Sequence, residues 1–170
     1  ISHDLPIVVC CDRAFLAIQQ IKGIYGKDIA FFESELQKHL LDEQRINETM
    51  EAALENNEFK VYYQPKHETI TGKIVGAEAL VRWIHPEYGF MSPGEFIPLF
   101  EKNGFITKLD LYILEQVCKD IQRWKKKRYP FVPVSVNVSR RDFLEAGCID
   151  KQVQIIDGYG IEHAYIHMEV

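Results

Sequence analysis

Positive charge is in short supply. Twenty Lys and Arg stand against 25 Asp and Glu, leaving a net charge of −5. A generic nucleic-acid binder presents a basic field, so that class is disfavoured and no nucleic-acid partner is expected. Long apolar runs are missing as well. The longest clean one, Ile7–Cys11, is strand-sized and far below the ~20 residues of a membrane helix, so this segment is expected to make no membrane contact. Cysteine is sparse: Cys10, Cys11, Cys118 and Cys148, without a CxxC pair. They read as small buried hydrophobes in a reducing compartment. The six His are scattered singly, with no HExxH, which argues against a zinc site. The opening Ile1-Ser2-His3-Asp4 has neither a basic n-region nor an initiator Met, so a cytoplasmic piece of a longer protein is expected. Repeats and low-complexity stretches are absent. What remains is 170 residues, 46% hydrophobic and 26% charged, the balance of a globular chain able to bury a core.

Apolar spacing predicts a helix over Asp12–Tyr25, with Asp12 as N-cap, Ala14, Phe15, Ile18, Ile21 and Ile24 as its stripe, and Gly26 ending it. Asp28–Phe32 reads as a short strand. Ser34–Asn56 is a long charged helix whose narrow stripe of Leu36, Leu40, Ile46, Met50 and Leu54 suits a connector between domains. The pattern then changes. Phe59–Lys66 and Lys73–Trp83 read as antiparallel strands around a turn at Glu68–Gly72. Ser92-Pro93-Gly94-Glu95 announces a helix, with Ser92 as N-cap, Pro93 at the first position and Glu95 closing a capping box. Gly104 ends it. Thr107–Arg128 follows as a helix burying Leu111, Leu114, Val117, Ile121 and Trp124. Its Lys125-Lys126-Lys127-Arg128 end reads as solvated and favoured by the helix dipole. Val132–Val138 is a strand, Arg141–Tyr159 a helix interrupted near Gly147, and Tyr165–Val170 another strand. Strands alternating with helices from residue 59 onward are the pattern of a parallel α/β sheet or barrel. A complete barrel of that type takes ~250 residues, so about half of one is expected.

Period-two alternation gives the later strands a polar second face. Val75, Ala77, Ala79, Val81 and Trp83 point one way; Glu78, Leu80 and Arg82 point the other. Val134, Val136 and Val138 oppose Ser135, Asn137 and Ser139, and Ile166 and Met168 oppose His167 and Glu169. Gln64 joins this polar set from the first strand. Carboxylates beside an amide oxygen are hard ligands suited to Mg²⁺ or Mn²⁺, and an Arg on the same face suits a phosphate. A satisfied Glu–Arg ion pair fits the same pattern. His85 before Pro86 reads as a hydrogen bonder that shapes the loop. Tyr62 and Tyr63 read as packing, with ligand stacking as the other option.

Three ordered motifs resemble the EAL domain family. Tyr63-Gln64-Pro65-Lys66 and Gly76-Ala77-Glu78-Ala79-Leu80-Val81-Arg82-Trp83, with His85-Pro86 and Gly89, resemble its opening. Phe96-Ile97-Pro98, Glu101, Gly104 and Ile106 continue it. Ser135-Val136-Asn137-Val138-Ser139 is similar to its next signature, and Glu169-Val170 to the start of its ExTE motif. Phe100 stands where the family commonly has a small residue, and reads as helix packing. Residues 1–33 resemble the last helix and strand of a GGDEF domain, without the GGDEF signature itself. The implied organisation is a GGDEF remnant over 1–33, a connecting helix over 34–57, and over 58–170 the N-terminal half of an EAL domain, a partial (β/α) TIM-like barrel.

The resemblance implies a bacterial signalling module that hydrolyses cyclic di-GMP to linear pGpG with two Mg²⁺ or Mn²⁺ ions. It places Glu78, Asn137 and Glu169 as metal ligands, with Gln64, Leu80 and Arg82 contacting substrate. The family's paired Asp ligands and catalytic Lys lie on later strands and have no counterpart here, so the chain alone is expected to be inactive. A parent protein dimerising through its EAL and GGDEF domains is expected. The alternative is an EAL domain that binds cyclic di-GMP without turnover.

Overall fold

The computed structural model describes residues 6–26, 28–32, 34–143 and 147–170. The chain divides into two compact units, Ile1–Glu48 and Thr49–Val170.

In the first unit, helix α1 spans Ile7–Ile21 with Pro6 as its N-cap. It starts five positions before the expected Asp12 cap and ends before Gly26. Pro6 has φ −56° and no N–H to leave unpaired, so it opens the helix where the Ile7-Val8-Val9 run had favoured no particular start. Ala17 is buried, whereas Phe15 and Ile18 of the expected stripe are exposed. Residues 28–32 form no strand. With no second strand in this unit among the described residues, they have nothing to ladder with. Arg13 instead lies over the Phe32 ring, 4.9 Å from its centroid. Helix α2, Ser34–Glu55, agrees with the sequence expectation and carries the boundary between the units. In its stripe Ile46 is buried and Leu40, Met50 and Leu54 are half-buried; the side chain of Leu36 lies outside the described residues.

The second unit is a five-stranded mixed sheet with helices packed against it. Strands β1 (Phe59–His67) and β2 (Ile74–His85) form the expected antiparallel hairpin, its turn closed by Gly72 N–H donating to the Glu68 carbonyl at 2.8 Å. Pro65 is tolerated because β1 is an edge strand. A short strand β3, Gly89–Met91, folds back on the end of β2. The sequence pattern indicates only a loop for this stretch. His85 makes the reversal: its Nδ1 accepts the backbone N–H groups of Glu87 and Tyr88 at 3.1 and 3.3 Å. Helix α3, Pro93–Asn103, starts as predicted, with the Ser92 N–H donating to Glu95 Oε2 at 2.6 Å. It ends at Gly104, whose φ of +85° suits glycine. Helix α4, Ile106–Lys127, leads into β4, Val134–Asn137, parallel to β2. A 3₁₀ turn over Arg140–Phe143 and helix α5, Cys148–Gly158, then connect to β5, Ile166–Glu169, parallel to β4. The interruption expected near Gly147 falls partly on 144–146, outside the described residues.

The core follows from the alternation. Ala77, Ala79 and Trp83 of β2 and Val134 and Val136 of β4 are buried against α3 and α4, although Val75, at the open start of β2, is exposed. Trp83, Phe59, Phe96 and Phe100 form an aromatic cluster with ring centroids 4.8–6.0 Å apart. Phe100 is fully buried there, in keeping with a packing role. Leu114, Val117 and Ile121 of α4 are buried as expected, with Leu111 and Trp124 half-buried. Cys118 and Cys148 are buried, and burial pushes the Cys118 thiol up to about 11. Cys11 is exposed and Cys10 half-buried, against the expectation for both. Tyr63 packs edge-on to Trp124 and donates to Asp120 Oδ2 at 2.8 Å, whereas Tyr62 is exposed, so only Tyr63 is a packing residue. The Lys125–Arg128 end of α4 is exposed.

Tyr159, at the end of α5, ties that helix to α4 by donating to Glu115 Oε1 at 2.7 Å. This bond holds the Glu115 carboxyl below the usual carboxylate range and raises the Tyr159 hydroxyl to about 12. The lowered acid contributes stability above its unfolded value of ~4.3, lost as pH falls through the lower folded one. The raised phenol contributes below ~10, lost as pH rises through its folded value. Tyr159→Phe is therefore expected to lower the thermal midpoint at neutral pH and to have a smaller effect in strong acid, where Glu115 is protonated and the bond is no longer to a charge. Unfolding scans across pH check this; an equal loss at every pH would assign the effect to packing instead.

Candidate functional site

The polar face assembles midway along β2, where Glu78 lies, and at the C-terminal ends of β4 and β5, the ends at which ligands sit in α/β sheets because they leave a crevice. Glu78 pairs in register with Gln64 on one side and with Ser135 on the other. Asn137 pairs with Glu169. Glu78 and Asn137 point to the same side of the sheet: Asn137 Nδ2 donates to Glu78 Oε1 at 3.1 Å. Glu78, Asn137 and Glu169 therefore stand on three neighbouring parallel strands. Arg82 is one alternation beyond Leu80, its Nη1 donating to the Val81 carbonyl at 2.8 Å. Glu78 makes its side-chain bond to Asn137, so the ion-pair alternative with Arg82 is not the arrangement formed here. Leu80, Arg82 and Asn137 line one cleft of about 300 Å³ with Ile97, Glu101 and Ser139. Gln64 is exposed at its register position beside Glu78, and Tyr62 is exposed across from Leu80.

Two residues at this site, Lys66 and Asp110, carry no mark in the sequence pattern. Lys66 reaches over from β1: its Nζ donates to Ser135 Oγ at 2.8 Å and to Glu169 Oε1. The two hydrogen bonds, from Lys66 first and from Ser135, hold the Glu169 carboxyl below the usual carboxylate range. The only hint of Lys66 is parity, since it shares a strand face with Gln64. Asp110 is the second. From the first part of α4 its Oδ2 accepts the Ser139 N–H at 3.0 Å, fixing the backbone two residues beyond Asn137. Asp110→Ala is expected to cost about 1.5–3 kcal/mol, the usual value of a hydrogen bond to a charged group. Urea unfolding of the full chain would read it, and a change under 0.5 kcal/mol would deny Asp110 this role.

The donor set fits a divalent ion. Two carboxylates and one amide group supply the hard oxygen ligands that Mg²⁺ and Mn²⁺ prefer. Asn137 gives its amide nitrogen to Glu78, so its carbonyl oxygen remains as the donor. Glu169 already holds a cation in Lys66. Three carboxylate, His or Cys side chains do not cluster anywhere among the described residues, so the set depends on Asn137.

Residues 47–170 match the EAL domain family, and the chain belongs to that family. Among its relatives is the bifunctional diguanylate cyclase/cyclic di-GMP phosphodiesterase MucR of Pseudomonas aeruginosa, 31% identical over 99% of this chain and 24% of the relative. The cyclic di-GMP phosphodiesterase NbdA of the same organism is 29% identical over 93% of this chain and 20% of its own length. The chain thus spans about a quarter or less of these curated relatives. Among solved structures, the MucR phosphodiesterase in complex with c-di-GMP superposes with a TM-score of 0.69 at 31% identity, over 74% of this chain and 51% of that one.

Proposed function

We propose that this chain is the N-terminal part of a cyclic di-GMP phosphodiesterase domain, a partial (β/α) barrel that opens the cyclic dinucleotide to linear pGpG. The observation that carries this reading is the Glu78–Asn137 contact between adjacent parallel strands, at the C-terminal end of β4, with Glu169 next in register. Glu78, Asn137 and Glu169 would hold Mg²⁺ or Mn²⁺. A divalent ion bound there supplies a Lewis acid and an activated water, and the reaction uses two such ions. Arg82 offers its planar guanidinium to a phosphate oxygen from the rim of the cleft, by the bidentate geometry that Arg favours. Leu80 from the cleft and Gln64 from beside Glu78 would contact the substrate. Glu169, kept ionised by Lys66 and Ser135, presents negative charge at neutral pH. We assign residues 1–33 to the end of a GGDEF domain, 34–57 to the connecting helix and 58–170 to the EAL domain, in a protein that dimerises through both domains.

The test is turnover of cyclic di-GMP by the complete EAL domain that carries this sequence, with Mn²⁺, followed by chromatography. Linear product that disappears with a chelator is expected. Tight binding without product would establish the receptor alternative in its place.

A further inference from the structure

Lys66 has no part in the reaction as described, yet it touches the site at two points. It sits opposite Gly76 in the β1–β2 register, one alternation below the Gln64–Glu78 pair. Gly76 carries no side chain, and a methyl group there would stand in ordinary contact with the lysine stem, 3.8 Å from both Lys66 Cβ and Cδ. Along that path the ammonium crosses β2 and ends between Ser135 of β4 and Glu169 of β5. Its side chain is 39% exposed and that of Glu169 43%, so a metal ion can reach the carboxylate from solvent.

We propose that Lys66 is a tethered cation that occupies Glu169 in the metal-free protein and competes with the divalent ion for that carboxylate. The inference rests on the metal-site reading given above. In the metal-free site, Glu78 and Glu169 put two negative charges on one small face, and the ammonium offsets their repulsion. An incoming divalent ion must either displace the ammonium from Glu169 Oε1 or bind beside it. Both routes cost affinity, because like charges a few ångströms apart in a partly screened site repel. Lys66 would thereby set the metal concentration at which the site fills, and act on catalysis only through Glu169, as a positioning residue.

The experiment is Mn²⁺ binding to the full chain, read from the electron paramagnetic resonance signal of free Mn²⁺. Lys66→Met is expected to bind Mn²⁺ about tenfold more tightly than the wild type, through removal of one charge. Lys66→Arg, which keeps the charge, is expected to stay near the wild type. A purely structural lysine would not give that difference. The metal-free Lys66→Met chain is expected to melt at a lower temperature than the wild type, and added Mn²⁺ to restore more than the loss. Lys66→Gln replaces Met if the apolar variant fails to fold. Glu169→Gln separates the two ideas. If it abolishes Mn²⁺ binding while Lys66→Met leaves the affinity unchanged or weaker, the competition is refuted and the metal site stands. If Glu169→Gln binds Mn²⁺ as the wild type does, Glu169 is no ligand and both fall.

Discussion

Glu78→Ala is expected to lower metal-dependent hydrolysis of cyclic di-GMP, in the complete domain, by about 10²–10³-fold, the usual cost of removing one electrostatic catalytic group. Two losses combine. In the proposed metal site the carboxylate is the donor from β2, and it is also the acceptor for Asn137 Nδ2. Without it the Asn137 amide loses the bond that fixes which of its ends faces the site, so a second donor is degraded by the same substitution. Raising Mn²⁺ should not restore the rate, because the missing charge lies at the reacting centre. Glu78→Gln divides the two effects: its carbonyl still accepts from Asn137 but carries no charge. A rate for the Gln variant as low as for Ala would put the whole effect on charge. Unchanged turnover of Glu78→Ala at saturating Mn²⁺ would remove Glu78 from the site.

Trp83→Ala is expected to be the most damaging change to folding. Trp83 is fully buried, its ring lies among Phe59, Phe96 and Phe100, and its indole N–H donates to Glu58 Oε2 at 3.0 Å. Replacing a core aromatic by Ala costs about 3–5 kcal/mol. Domains of ordinary size are stable by only about 5–15 kcal/mol. The variant should therefore lose most of its margin and show a much earlier, broader thermal transition. Trp83→Phe keeps an apolar ring and loses the Glu58 bond, so it should fall between the two. A Trp83→Ala midpoint within a few degrees of the wild type would mean that the cluster contributes little.

The parts of this chain that could be read from sequence are those where a local rule and the tertiary structure agree. The capping sequence Ser92–Glu95 acts through bonds within one turn, and α3 starts where it indicates. The hairpin of β1 and β2 follows from alternation, because one face must be buried and a slip of one residue would expose it. The polar face came from the same rule, which is why Gln64, Glu78, Leu80, Arg82, Asn137 and Glu169 were found together. The start of α1 was misread because Ile7-Val8-Val9 is β-branched and apolar, a run that strand and helix share. Strand β3 was invisible because three residues carry no period, and only the His85 turn directs them back to β2. The place of Lys66 in the site is not legible in the sequence for another reason. Register places its Cα, but a long flexible side chain spans two further strands, and no periodicity records where its end arrives.

The left-handed turn at Gly104 has a consequence away from α3. Arg141 lies over that turn, and a methyl group on Gly104 would stand 3.1 Å from its Nη2. The same guanidinium reaches the Glu101 carbonyl at 3.4 Å, while the Arg141 N–H donates to Ser139 Oγ at 3.2 Å. Glycine at this point is thus a seat as well as a bend, and what sits on it is the loop that follows Asn137. A side chain at Gly104 would strain the helix end and unseat the arginine together. The substitution would then be felt at the mouth of the cleft, where Ser139 and Asn137 lie, though Gly104 itself touches no ligand position.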